Sequence, residues 1–511
     1  MHGRIREYLL YTVVLGWGVG LAFWPTISSG FTLLQTDPGD TLLNHYILEH
    51  SWLWLTRSDY VGTLWSPPFY FPAPGALAYS ENLLGVAPLY WLLRLGGDAV
   101  LAYQLWMIGV CALSYAGMVW VLRRFDVQPT LVALGGLIFA FGMPRLQQLG
   151  HQQLLVQAFT PPAIYFAYRF LTAPTARHLY LAYLFISWQL WACIYLGWFL
   201  VFTLPLFALG LLIGQPTLRF GIGRFLVEHR YATLAGTLLF GMSLFPLLEP
   251  YQRYNHGFRR NYEECLLPCK SSWLAPPDGS LWAAPLERYC KTQDPERRLF
   301  PGLLPIMLLG LVAMTTLFRR KSEDNARGLA IATFFVVTIT VLLTFRWHSH
   351  TSLWFYVYSR FPGAGAIRAV SRIELTLLAY VLMAGIPILS RLLRAKPSGE
   401  LIAWLVLFIG IADQVTVAQY SFDPRSFCAE VEAKATEIRG LPWACLPLEE
   451  AGRPFYTGQL VAMWAGLKAN VPVVNGYTGR HPKGYPAWNR TLTPEEAAEW
   501  VRSQRAPAIE R

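Results

Sequence analysis

Eleven runs of roughly 17–25 mainly apolar residues constrain this chain more than any other feature, because that length matches the hydrocarbon thickness of a bilayer. They lie near 8–27, 99–122, 130–146, 153–171, 179–197, 198–214, 231–250, 301–318, 327–345, 373–394 and 400–418. Lipid offers no water to the backbone, so each run must satisfy its own N–H and C=O groups as a helix. With 54% hydrophobic and only 14% charged residues, the chain has too few charges for an ordinary water-facing surface. The expected fold is an α-helical polytopic membrane protein with about eleven transmembrane helices. The break at Gly197 matters most, since fusing the runs on either side would invert every later orientation. The basic start and apolar core of residues 1–24 have the look of a signal peptide, but no small-residue cleavage site follows, which favours an uncleaved first span.

A net charge of +11 raises nucleic acid as a partner, but the basic residues are scattered through short loops, where they orient spans instead. Arg4 and Arg6, Arg123 and Arg124, Arg169 and Arg177, and Arg219, Arg224 and Arg230 fall on one side. Arg319, Arg320, Lys321 and Arg327, then Arg391, Arg394 and Lys396, continue that side. The positive-inside rule therefore puts the amino terminus in the cytoplasm and the carboxy terminus outside the cytoplasmic (inner) membrane. A transmembrane domain of residues 1–418 then carries outer loops 28–98, 251–300 and 346–372, and residues 419–511 form an extracytoplasmic domain. In loop 251–300, Arg259, Arg260, Lys270, Arg288, Lys291, Arg297 and Arg298 are largely offset by Glu263, Glu264, Asp278, Glu287, Asp294 and Glu296. Long loops are translocated regardless of such charge.

The first outer loop should carry interfacial helices. In residues 39–54 the spacing of Leu42, Leu43, Tyr46, Ile47 and Trp54 suggests a helix lying on the membrane with Trp52 and Trp54 at headgroup level. Residues 79–97 are too short to span and contain Pro88, which suits a re-entrant or surface-lying helix. In the tail, 472–486 reads as a short strand and turns, while Thr493, Pro494 and Glu496 open a helix with a capping box. A small α/β carboxy-terminal segment is the expectation. Cys265, Cys269 and Cys290 share one outer loop and Cys428 and Cys445 share the tail, so a Cys428–Cys445 disulfide and one joining Cys290 to Cys265 or Cys269 are options in an oxidising compartment. A zinc site of those three loop cysteines with His256 matches no common structural spacing.

Several polar residues could carry chemistry at this outer face. Asp40 could act as a general base on an acceptor hydroxyl while a bond to a lipid phosphate breaks. Equally, Asp37 could cap a helix with Pro38 first and Asp40 as a first-turn acid favoured by the dipole. His45, one turn on, is a further substrate-binding candidate. Glu81 could pair with Asp40 around a divalent metal or share its work, or follow a Ser80 cap as a first-turn acid. His151 could bind phosphate or sugar or be a hydrogen-bonded surface residue, with Arg145 adding positive charge nearby. Arg368 and Arg372 lie four residues apart, so a helix would align them to grip a lipid-linked phosphate, unless they snorkel to headgroups or pair with Glu374. His348 and His350 in an exposed loop and a sequon at Asn489 add little. P-loop, dinucleotide-binding, GxSxG and HExxH patterns are absent.

Five stretches in order, GDTLLNHYILEHSW, FYFPAPGALAYSENLLG, FAFGMPRLQQLGHQQLL, PGAGAIRAVSRIELTLL and PVVNGYTGRHPKGYP, resemble bacterial polytopic proteins of the GT-C glycosyltransferase superfamily, particularly mannosyltransferase-like or YfhO-like members. The likeness runs over most of the chain. It implies an enzyme that takes a sugar from a polyprenyl-phosphate donor and passes it to a glycan, lipid or protein acceptor outside the cytoplasmic membrane. It also implies that Asp40, with Asp37 as understudy, is the base or the acceptor- or metal-binding acid, supported by Glu81, Arg368 and Arg372. Where many relatives have an Asp-Glu pair, this chain has Asp40-Thr41, which leaves metal use open. The competing readings are a transporter or flippase for a lipid-linked saccharide and a non-catalytic assembly protein. Transporters place ionisable groups mid-span and show repeated halves, and neither is seen in this sequence.

Overall fold

The computed structural model describes residues 2–290, 294–318, 325–348, 351–417, 420–447, 454–486 and 490–505. Lys291, Arg319, Arg320, Lys321, His350, Asn489 and the side chain of Cys290 lie outside the described residues. The chain opens with α1 (His2–Ser28), β1 (Leu34–Gln35), α2 (Pro38–Thr56), α3 (Ala87–Gly96), α4 (Ala99–Leu122), α5 (Pro129–Phe141) and the single turn α6 (Met143–Leu146). Next come α7 (Thr160–Thr172), α8 (Ala176–Ala192), α9 (Ile194–Gly214), α10 (Leu218–Glu228), α11 (Arg230–Tyr254) and the short α12 (Glu287–Cys290). Then follow α13 (Leu303–Phe318), α14 (Asn325–Thr344), α15 (Trp354–Arg360), α16 (Glu374–Arg394) and α17 (Gly399–Gln414). The tail holds β2 (Ser421–Phe422), α18 (Arg425–Ile438), α19 (Phe455–Ala469) and α20 (Pro494–Arg505).

Among the described residues seven helical stretches are long and apolar enough to cross a membrane: Gly3–Ser28, Ala99–Phe125, Pro129–Leu146, Ile194–Gly214, Arg230–Tyr254, Ala326–Thr344 and Val370–Arg394. This is the build of a multi-pass helical membrane protein. The other four expected spans are helices, but shorter ones. Residues 153–171 yield only the 13-residue α7, because the segment before Thr160 is taken up by a glutamine-rich loop. Residues 179–197, 301–318 and 400–418 yield α8, α13 and α17 of 17, 16 and 16 residues. Cys193, extended at φ −156 and ψ 108, divides α8 from α9, so the break falls there and not at Gly197. The central stretches Pro129–Leu146 and Val370–Arg394 are 94% buried, whereas Arg230–Tyr254 is 17% buried and leaves Leu234, Leu239, Met242 and Phe245 exposed. An apolar face of that extent is what a lipid-facing helix presents.

The helix α2 departs from expectation. Instead of lying on a surface, it is buried on all sides from Thr41 to Ser51, polar residues included, with α19 packed along it. The tail is knitted onto the first loop. Leu34 and Gln35 of β1 pair antiparallel with Phe422 and Ser421 of β2, Phe71 N–H donates to the Val473 carbonyl at 2.9 Å, and Trp500 Nε1 donates to the Phe71 carbonyl at 2.9 Å. The tail is mainly helical, its strand content among the described residues being β2 and a parallel bridge between Ala444 and Val473. The Thr493 capping box is present: Glu496 N–H donates to Thr493 Oγ1 at 3.2 Å and Thr493 N–H to Glu496 Oε2 at 2.9 Å. Cys428 and Cys445 are free thiols, as is Cys265, so the tail disulfide offered as an option is not formed.

Candidate functional site

The entry to α2 follows from its first four residues. Asp37 accepts the Gly39 N–H at 2.8 Å as N-cap and Pro38 supplies a helix-ready φ, which places Asp40 in the first turn. Asp37 is thus a cap, beside the site but committed to the backbone. Facing Asp40 is the loop between α6 and α7, whose shape is set by buried polar side chains. Arg145, 1% exposed, donates to the Leu154 carbonyl and to Gln157 Oε1, while Gln157 Nε2 reaches the Leu375 carbonyl at 3.1 Å. Gln152 Nε2 donates to Thr41 Oγ1 at 2.7 Å and Thr36 Oγ1 at 3.0 Å, and Asn44 Nδ2 to Gln153 Oε1 at 2.8 Å. Each such bond satisfies a group that would otherwise be buried unpaired. Arg145 is therefore a structural clamp and not a charge at the mouth of the site.

So held, the loop sets His151 Nδ1 at 2.6 Å from Asp40 Oδ2, and His151 Nε2 lies 3.0 Å from Glu296 Oε1. Glu296 sits in a single helical turn capped by Asp294, whose Oδ1 accepts the Glu296 N–H at 2.9 Å. Arg372 closes the row, with Nε donating to Glu296 Oε2 at 3.0 Å and Nη2 to Oε1. Asp40, His151, Glu296 and Arg372 thus alternate in charge from four separate segments. With carboxylates on both ring nitrogens, His151 is best served as an imidazolium donating twice.

The titrations follow the same logic. Burial alone would raise the Asp40 carboxyl, but the hydrogen bond and charge of His151, with Arg372 and Gln153, hold it below the usual carboxylate value. Burial would lower His151, yet its bonds to Asp40 and Glu296 raise it above the ordinary imidazole value. For Glu296 burial is likewise outweighed, by His151 and Arg372, and it lies well below its usual range. The side chains of Asp40 and His151 remain 24% and 30% accessible, so the row is reachable from one end. Both side-chain bonds to Asp40 go to Oδ2, and Oδ1 has no partner among the described residues.

Around this row lie groups that the sequence did not single out. Tyr456 packs near Gly39, its ring 5.5 Å from that of Tyr477, which feels the charges of both Asp40 and Arg368. Arg368 is exposed, and Arg260 feels the like charges of both Arg368 and Arg480. Arg260 donates to the carbonyls of Ala366 and Gly479, and Arg480 to Asn255 Oδ1 while lying over the Phe258 ring at 3.6 Å. Among the described residues none of these three guanidiniums has a carboxylate at ion-pair distance.

Other expected members stand apart. Glu81 opens no helix of its own; it is 8% exposed and accepts the N–H groups of Ile194 at 2.8 Å and Tyr195 at 3.1 Å, capping α9 from 113 residues away. Burial pushes its carboxyl up to about 7 in spite of those bonds. Both of its oxygens serve the backbone of α9, and among the described residues no three His, Cys, Asp or Glu side chains are grouped to hold a metal. His45 points away from Asp40 into an aromatic nest, stacked on Tyr103 at 4.6 Å and against Trp464 at 4.7 Å. Arg368 and Arg372 do not share a helix face, since Val370–Ile373 is a tight 3-10 turn and α16 begins at Glu374. Arg372 pairs with Glu296, not with Glu374.

Glu296, Arg260, Arg480 and Tyr477 are the additions. The only signal for Glu296 was Asp294-Pro295 before it, a turn-opening pair in a loop otherwise read as charge balance. No family model and no curated protein matches the chain.

Proposed function

We propose that this protein transfers a sugar from a polyprenyl-phosphate donor to an acceptor hydroxyl at the outer face of the cytoplasmic membrane, with Asp40 as the base. The observation that carries this reading is that Oδ1 of the partly accessible Asp40 side chain has no partner among the described residues, while Oδ2 is held by His151. Asp40 Oδ1 receives the acceptor hydroxyl proton as its oxygen bonds to the anomeric carbon, and the bond from that carbon to the phosphate oxygen breaks. A carboxylate held below its usual value takes that proton late, once bonding has acidified the hydroxyl. The leaving phosphate keeps the electron pair. Arg368, Arg260 and Arg480, which have no ion-pair partner among the described residues, stabilise it, since Arg372 is already paired with Glu296. The rings of Tyr456 and Tyr477 give the sugar an aromatic wall.

In this reading Glu81 is a positioning residue that fixes the start of α9, where Tyr195 lies 5.4 Å below the Arg372 guanidinium. The test is turnover of defined polyprenyl-phosphate sugars by purified protein in liposomes. Wild type should release the polyprenyl phosphate, and Asp40→Asn should lose about 100-fold or more of that rate with its fold intact. Donor that crosses the bilayer uncleaved would identify a transporter instead, and an Asp40→Asn variant as fast as wild type would remove Asp40 from the chemistry.

A further inference from the structure

A cavity of about 350 Å³ lies between α2 and α18, lined by His45 but not by Asp40. Leu42, His45, Glu49 and Leu53, spaced three and four apart, form its α2 wall, and Arg57 ends it. From Leu42 to Arg57 at 1.5 Å per residue the wall is about 22 Å long. A volume of about 350 Å³ along so long a wall makes a narrow, slender groove, the shape of an extended hydrocarbon chain. Phe427, Val431 and Trp464 supply the facing wall, which is apolar.

The polar groups inside carry no net charge. Arg94 Nε donates to Glu49 Oε2 at 3.0 Å, the Tyr90 hydroxyl donates to the same oxygen at 2.5 Å, and burial pushes His45 down to about 3, so it is neutral. At the mouth stand the exposed Arg57, Cys428 and Lys468. Arg57 pairs with Asp59 and Lys468 with Glu432, both exposed pairs of the kind that hold weakly and exchange partners readily. Ala99 and Val100 at the start of α4, an apolar helix long enough to cross a bilayer, also line the cavity, and the neighbouring Leu92, Leu95 and Leu55 are exposed apolar side chains. The mouth therefore opens where a membrane surface would lie.

We propose that this cavity holds one acyl chain of a membrane phospholipid, with the phosphate at Arg57 and Lys468. The site is separate from the row at Asp40 and does not depend on the glycosyl-transfer reading.

Cys428 at the mouth reports occupancy in the unaltered protein. Delipidated protein in amphipol is labelled with a maleimide, with dodecyl phosphate, dodecanol or inorganic phosphate added. At roughly nine-tenths occupancy dodecyl phosphate should slow Cys428 labelling about tenfold, dodecanol less, and inorganic phosphate not at all. Val431→Trp, which fills the bore, should abolish the protection while leaving the unprotected labelling rate unchanged. Native mass spectrometry of gently purified protein should show one retained phospholipid, lost in Val431→Trp. Equal protection by inorganic phosphate would reduce the site to a surface anion contact, and protection that survives Val431→Trp would overturn the proposal.

Discussion

Glu296→Gln is the most informative single change, because it removes one charge from the middle of a row in which every member needs its neighbour. The substitution keeps the shape but leaves Arg372, 8% accessible, with no carboxylate, and withdraws the acceptor from His151 Nε2. Removing one partner of a buried pair costs about 3–5 kcal/mol, chiefly because the other charge stays desolvated. Glu296 is itself 13% accessible, so some water reaches the gap and the lower end, about 3 kcal/mol, applies. In a chain this long each kcal/mol moves the melting temperature by about 1–2 °C, so thermal unfolding in detergent should fall by about 3–6 °C.

The double variant separates a stranded charge from a lost contact. If the cost is the stranded charge, Glu296→Gln combined with Arg372→Met should be no worse than either single change and should return to within about 1–2 kcal/mol of wild type. The cycle should therefore show a coupling of about 2 kcal/mol or more. Melting temperatures that simply add across the cycle would refute the account, since they would mean that the two side chains contribute independently.

His151 and Glu81 both have raised values, so in each case the folded state binds the proton more tightly, and stability should decline as pH rises through the raised value. For Glu81 the decline falls between the ordinary carboxyl value of 4.5 and about 7, and Glu81→Gln should flatten that part of a melting-temperature profile. For His151 it begins at 6.5 and continues above, and His151→Gln should flatten only this upper limb; a profile unchanged by either variant would count against the assigned protonation states. Loss of the α9 cap in Glu81→Ala should cost about 1–2 kcal/mol, and Glu81→Gln should keep most donor turnover while Asp40→Asn does not. Arg368→Gln should raise KM for a phosphate-linked donor more than it lowers kcat, which steady-state kinetics in liposomes would resolve.

What the sequence conveyed was local, and what it withheld was pairing. Apolar run length located the seven apolar helices of membrane-crossing length because a bilayer-length segment declares itself without reference to partners. The Asp37-Pro38 and Thr493-Glu496 caps were legible for the same reason, each being closed within four residues. Asp40, His151 and Arg372 were identified one at a time, but the bond between the first two crosses 111 positions and that from Arg372 to Glu296 crosses 76. Periodicity carries no information at that range. Glu81 shows the limit well: it does cap a helix, but one whose first N–H groups lie 113 residues on, where Cys193 offers a thiol in place of a carboxylate. Helical spacing likewise misplaced Arg368 and Arg372, because the 3-10 turn at Val370–Ile373 rotates residues by a different angle.

The alternation of charge also decides where an anionic substrate can bind. From Asp40 to Arg372 the row sums to zero, and each internal charge is met on both sides, so a phosphate placed there would have to displace Glu296 from two cations at once. No such displacement is needed at Arg260, Arg368 and Arg480: Arg260 is repelled by the other two, feels Glu264 only at a distance, and with Arg480 bonds to backbone carbonyls and an asparagine. A neutral, rigid row and a separate group of guanidiniums without ion-pair partners among the described residues divide two tasks that a single mixed cluster would confuse. The row holds one carboxylate oxygen in place to accept a proton, and the cluster lowers the energy of an anion only when one is present. It follows that neutralising Arg372 should disturb the fold before it disturbs donor affinity, whereas neutralising Arg368 should do the reverse.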